Sequence, residues 1–166
     1  GTGGHRVVLD FADARATGPP VQAAWGRSEI EGGIRAIARD ADEARRADDW
    51  WPVHPLDAEP GDPDRLHGVY FGAAGVLWAL DRLAHAGLHE SGHDYAQLAG
   101  DVLESYRSEP EFDGPLPSLW MGEGGIALVA WRLGPTAARA ACLAVLAVPE
   151  PTGEAAAQRW GNPGLL

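Results

Sequence analysis

The sequence predicts an all-α fold, an arc of helical hairpins, and three observations carry that expectation. A short phrase, made of a large apolar residue, a glycine, two variable residues and a second glycine, recurs along the chain. It reads Phe71-Gly72-Ala73-Ala74-Gly75, then Met121-Gly122-Glu123-Gly124-Gly125, then Trp160-Gly161-Asn162-Pro163-Gly164. Apolar residues at helical spacing follow the first two copies. No stretch of useful length alternates apolar and polar residues as a strand would. Gly72 to Gly122 and Gly75 to Gly125 are each 50 residues apart, and Gly122 to Gly161 and Gly125 to Gly164 are each 39. Arg82-Leu83 also falls on Arg132-Leu133 at the offset of 50. Matched glycines at one offset, twice over, mark an internal repeat. A glycine where a helix opens lets the chain turn tightly and lets another backbone or a ligand approach. These helices are therefore expected to present first-turn N–H groups to one shared cavity.

Taken in order, residues 1–24 form a glycine- and proline-bearing segment with one apolar run, Val7-Val8-Leu9, and are expected to be extended. Ser28 with Glu31 fits a capping box, and Ile30, Ile34, Ile37, Ala38 and Ala41 recur at helical spacing. A first helix is expected from near Glu29, ending by Trp50 ahead of Pro52 and Pro55. Asp57 to Asp64 carries carboxylates and prolines without the distal glutamate or glycine placement of a calcium loop, so it reads as a solvated linker. Val76, Leu77, Leu80, Leu83 and Ala84 then share one helical face, which Gly87 closes. Asp94 with Gln97 resembles a second capping box, opening an apolar stripe of Tyr95, Leu98, Ala99, Val102 and Tyr106 that Pro110 stops. The second glycine phrase leads into Ile126, Val129, Ala130 and Leu133, and Gly134-Pro135 ends that helix. Thr136 to Val148 is apolar on nearly every side, which suits a helix packed between neighbours.

The 166 residues suit one domain, and 45% apolar composition is enough for a core. A net charge of −11, with thirteen arginines and no lysine, argues against a nucleic-acid surface and against attraction to anionic lipid. The single cysteine, Cys142, excludes an internal disulfide framework and a multi-cysteine metal site. That usage is compatible with a reducing cytoplasm, the expected location. The longest wholly apolar stretch near the C-terminus, Ala140 to Val148, is about half of what a bilayer requires.

The three glycine phrases, together with Ser118-Leu119-Trp120 ahead of the second, resemble the lanthionine synthetase C-like family. The likeness runs from about Ala24 to the end, so residues 25–166 are read as a partial domain of that family, reaching the start of a third glycine-motif helix. The resemblance implies an α/α toroid, in which inner helices opening on such glycine pairs surround a cavity and outer helices pack behind them. It also implies chemistry: a peptide cysteine thiol adds to a dehydrated serine or threonine, with zinc activating the thiol. The family's zinc ligands, two cysteines and a histidine, lie on later motif turns, and none is carried over here. An acidic residue that the family places ahead of the third copy is replaced by Ala157, with Glu154 three residues earlier. The chain is thus expected to be an inactive fragment without its own metal site or catalytic residue, zinc belonging to a full-length parent. Its expected partners are a peptide, the remaining hairpins of the toroid, or a second copy of itself.

Four side chains near the glycine phrases are candidate substrate contacts at a cavity mouth: His67, Tyr70, Trp120 and Glu123. Each also has a plainer reading, His67 as a satisfied residue of the preceding loop, Tyr70 and Trp120 as rim packing, and Glu123 as the answer to a helix dipole. The six glycines Gly72, Gly75, Gly122, Gly125, Gly161 and Gly164 are expected to be structural. His85, His89 and His93 are spaced by four, but Gly87 and Gly92 break the helix that would align them for a metal. Cys142 reads as a core thiol. Asp113 and Glu123 leave open a carboxylate pair of the glycosidase kind, since six-hairpin glycosidases and epimerases share the toroid. A non-catalytic peptide-binding scaffold is the third class.

Overall fold

The computed structural model describes residues 26–47, 50, 51, 53, 65–111, 114–134 and 137–147. The expected extended segment 1–24, the Asp57 to Asp64 linker and the third glycine phrase lie outside the described residues. Five helices make up the described part: α1 (Arg27–Ala44), α2 (Ala73–His85), α3 (Tyr95–Ser108), α4 (Glu123–Leu133) and α5 (Ala137–Leu146). Among the described residues the only β-type pairing is an isolated bridge between Arg46 and Trp50, so the all-α expectation holds. None of the described helices is long and apolar enough to cross a membrane.

α1 opens two residues earlier than expected, and its cap differs. Gly26 occupies the N-cap, and Oε2 of Glu29 accepts from its N–H at 3.1 Å. Glu31 pairs instead with Arg27 at 2.8 Å. The helix ends at Ala44, within the expected limit of Trp50, where the chain turns back on itself. Trp50 adopts φ 59 and is 8% exposed, and the indole N–H of Trp51 donates to the Ala41 carbonyl at 2.6 Å.

α2 buries Leu77 and Leu80, with Val76 and Leu83 partly covered, as the apolar spacing requires. It ends on Gly87 at φ 70, with Leu88 N–H donating to Leu83 and Gly87 N–H to Ala84, at 2.9 and 3.0 Å. That pair of bonds is a Schellman closure, and it needs the left-handed residue that glycine supplies. At the start of α3 the Asp94 carboxylate accepts from Gln97 N–H at 3.1 Å, while the Gln97 amide turns away to Asp101, so half of the expected capping box forms.

α2 packs on α3 and α4, α3 on α4, α4 on α5, and α1 on α2. Leu77, Val102, Tyr106, Ile126 and Ala127 sit at the centre with at most 1% exposure. Burying side chains of the leucine and isoleucine size contributes about 1.5–3 kcal/mol each. α5 departs from expectation. Cys142 and Val145 are buried, but Leu143 is 48% exposed and Arg139, Ala140 and Ala144 are also exposed, so the helix lies on α4 as a surface element. Arg139 stands 5.7 Å over the ring of Trp131, giving the outer part of α5 a cation–π contact. Burial raises the pKa of the Cys142 thiol, as suits a core cysteine.

Candidate functional site: two glycine loops joined at their tips

The segments before α2 and α4 fold alike. In each, a leucine carbonyl reaches forward seven residues to the helix start: Ala73 N–H donates to Leu66 and Glu123 N–H to Leu116, both at 2.8 Å. Ala74 N–H donates to His67 at 3.0 Å, and Gly125 N–H to Ser118 at 3.2 Å. Gly75 N–H turns to Gly72 at 3.2 Å, and Val76 and Ile126 N–H bond the glycines four residues back at 3.4 Å. Carbonyls of the chain itself therefore occupy these first-turn donors. The expectation that the helix mouths hold N–H groups out to a cavity is corrected: the loop carbonyls take the place that an anion would occupy.

The glycines permit this curl for a steric reason. A Cβ at Gly72 would come within 3.0 Å of the Leu66 backbone, one at Gly75 of Val69, one at Gly122 of Leu116, and one at Gly125 of Leu119. The backbone at Gly72 and Gly122 has φ of −120 and −143, so the requirement is space rather than left-handed conformation. At these four glycines a side chain would collide with the backbone of the preceding loop; Gly161 and Gly164 lie outside the described residues.

The two loops meet edge to edge. Val69 and Tyr70 N–H both donate to the carbonyl of Trp120 at 3.0 Å. At the joined tips, Tyr70 is 51%, Phe71 64% and Trp120 38% exposed, and the Tyr70 and Phe71 rings meet edge to face at 4.4 Å. Beside Tyr70 and Phe71 runs an open apolar groove of ≈ 400 Å³ between α1 and α2, walled by Ile37, Ala41, Val76 and Leu83.

Three successive residues of α3 hold this arrangement from behind. Ser105 Oγ lies 2.9 Å from Nε2 of His67 in the first loop. Tyr106 hydroxyl accepts from Leu116 N–H of the second loop at 2.9 Å, and its pKa is raised, chiefly by burial. Arg107 reaches Glu123 at the start of α4, at 2.6 Å. His67 is thus 1% exposed and lies behind the loop rather than at its mouth. Its Nδ1 is 3.0 Å from Oε1 of Glu111, which also accepts from the backbone N–H of His67 and of Gly68. The Tyr106 ring meets the imidazole edge-on at 5.8 Å. Of the four candidate contacts, the structure brings Tyr70 and Trp120 together at the surface. It ties Glu123 to Arg107 and encloses His67.

Ser105 and Glu111 were not legible as partners of His67. They stand 38 and 44 residues away in the sequence, and a lone serine and a lone glutamate carry no spacing signal. Asp113, the proposed carboxylate partner of Glu123, lies outside the described residues. The histidines spaced by four have different surroundings. His85 turns back on Asp81 at 2.9 Å, His93 is exposed, and His89 is 8% exposed and meets the Tyr95 hydroxyl at 2.8 Å. Asp42 of α1 joins that last cluster, accepting from Tyr95 at 3.0 Å and from Ser91 at 2.9 Å. Among the described residues no three His, Cys, Asp or Glu side chains gather as a metal site. Comparison with protein-family models, with curated proteins and with solved structures returns no match for this chain.

Proposed function

We propose that this chain is part of a lanthionine synthetase C-like toroid and that its described part binds a peptide rather than carrying out the thioether-forming step. The observation that carries the reading is the joined pair of glycine loops, whose tips hold Tyr70, Phe71 and Trp120 in the open beside an apolar groove. Exposed aromatic side chains clustered on rigid backbone are the common anchors of polypeptide recognition, and they lose little conformational freedom on binding. The helix order supports the toroid part. α2 and α4, the two helices that open on glycine pairs, lie side by side, with α3 packed on both and α1 and α5 on the flanks, as consecutive inner and outer helices would. The exposed face of α5 around Leu143 is then where a further hairpin of the toroid packs.

In this reading Tyr70 and Trp120 touch the peptide. Glu123, held by Arg107, orients the start of α4, and His67 supports the loop from within. The test is a titration of the chain with a twenty-residue unstructured peptide rich in Ser, Thr and Cys and bearing two aromatic residues, followed through the indole N–H resonances. Trp120→Ala and Tyr70→Ala should each weaken binding roughly tenfold with unchanged thermal midpoints. Unaltered affinity in both variants, or no shift of the Trp120 resonance on saturation, refutes the proposal.

A further inference from the structure

Behind the loop tips, Ser105, His67 and Glu111 form a hydrogen-bonded row that peptide binding leaves unused. Nε2 of His67 is 2.9 Å from Ser105 Oγ, and Nδ1 is 3.0 Å from Glu111 Oε1. An ionised carboxylate only accepts, and this one already takes N–H bonds from the backbone of His67 and Gly68. The ring proton therefore belongs on Nδ1, and the neutral imidazole turns its Nε2 lone pair to the serine hydroxyl. That is the tautomer a general base needs, fixed by its partners before any substrate arrives. The His67 and Glu111 side chains are each 2% exposed, while Ser105 is partly exposed.

We infer that Ser105 is a nucleophile toward small activated carboxylic esters, with His67 as its general base and Glu111 as a positioning residue. Ser105 Oγ attacks the ester carbonyl carbon as its proton passes to His67 Nε2. The bond from that carbon to the leaving oxygen breaks, and Nε2 returns the proton to the departing alcohol, leaving Ser105 acylated. Water then attacks the acyl carbon and gives its proton to Nε2. The carboxylic acid departs, and the same proton restores the serine hydroxyl. Ser105 lies in the last turn of α3 (Tyr95–Ser108), where the helix carbonyl end disfavours a developing oxyanion, so the reaction suits good leaving groups and is slow.

The full chain, incubated with p-nitrophenyl acetate and separately with an alkyl fluorophosphonate, should gain a single adduct by intact mass, mapped by peptide fragmentation to Ser105. Ser105→Ala should abolish the adduct while keeping the helical circular dichroism and unfolding midpoint within the range of a surface substitution. Glu111→Gln should slow adduct formation at least roughly tenfold, and Glu111→Asp should recover part of that rate. Absence of any adduct on the folded wild-type chain overturns the inference, as does an unchanged adduct in Ser105→Ala. A Glu111→Gln rate equal to wild type removes the positioning role. Should the Glu111 variants fail to fold, Ser105→Ala alone decides. Peptide titration with the Tyr70 and Trp120 variants is independent of all these results.

Discussion

The two glycine loops follow similar backbone courses, yet they are held in different ways, and at their tips the difference lies at one matched pair of positions. Where the second loop has Ser118, fully buried, the first has Gly68. The Ser118 hydroxyl accepts from Trp120 and Met121 N–H at 3.2 Å, so the second loop satisfies these two tip donors itself. The first loop has no side chain at that place and gives its Val69 and Tyr70 N–H to the Trp120 carbonyl of the second. A Cβ at Gly68 would stand 3.0 Å from that same carbonyl, so the glycine is what permits the approach. At the tips, the first copy leans on the second. The joint between the copies thus depends on a position where the two loops diverge.

The comparison can be broken most severely at Gly125. A Cβ there meets both the Leu119 carbonyl of its own loop and, at 2.8 Å, Val69 Cγ2 of the other. Gly125→Ala is expected to cost on the order of 3–5 kcal/mol, with Gly75→Ala, which meets Val69 of its own loop, costing less. Denaturant midpoints check the order, and equal values for the two variants would show that the joint between the loops carries no load.

Gly68→Ser tests the joint directly by giving the first loop the second loop's residue. Forcing the loops apart should cost about 2 kcal/mol and raise the hydrogen-exchange rates of Val69 and Tyr70 while leaving Met121 protected. The reverse change, Ser118→Ala, deprives two N–H groups of an acceptor and should cost about 1–2 kcal/mol, with exchange rising at Trp120 and Met121. Exchange that rises equally in both loops for both variants would contradict the asymmetry.

A change remote from the loops separates local from general effects. The Tyr95 hydroxyl, between His89 and Asp42 at the α1 attachment, has its pKa pushed up from 10.0 to about 12, mainly by burial, with Asp42 adding to it. Its folded-state pKa is raised, so the neutral phenol is favoured on folding. The corresponding stability is complete below pH 10.0 and is lost as pH rises toward about 12. Tyr95→Phe should remove that alkaline loss and lower stability at pH 7 by about 1 kcal/mol, without altering exchange in either loop. The smallest effect is expected at Gly33 in α1, where a Cβ meets nothing within 4 Å. Gly33→Ala should stabilise by about 0.5–1 kcal/mol, the opposite sign to Gly125→Ala.

Much of this was legible beforehand. Leu77 and Leu80 on α2, the stripe from Tyr95 to Tyr106 on α3, and Ile126, Val129 and Ala130 on α4 follow directly from apolar spacing. The Gly87 closure and the Asp94 cap are local chemistry. The α1 cap differs from expectation because Ser28 and Glu31 fit the Ser-x-x-Glu pattern, whereas Gly26, with no side chain, is capped by the Glu29 carboxylate alone. The apolar composition of Thr136 to Val148 suggests enclosure, whereas alanines at Ala140 and Ala144 tolerate water as readily as a neighbour.

The repeat at an offset of 50 residues, the helix periods and the glycine requirement belong to the amino-acid string, since each rests on backbone sterics and solvent aversion acting over a few residues. What the glycines admit was decided in three dimensions. Their missing side chains make room for the Leu66, Val69, Leu116 and Leu119 backbone, so the cleared space is filled by the chain itself. The enclosure of His67 by Ser105, Tyr106 and Glu111, and the meeting of Tyr70 with Trp120, likewise depend on contacts between residues dozens of positions apart, which only the packing of α2, α3 and α4 brings within hydrogen-bond reach.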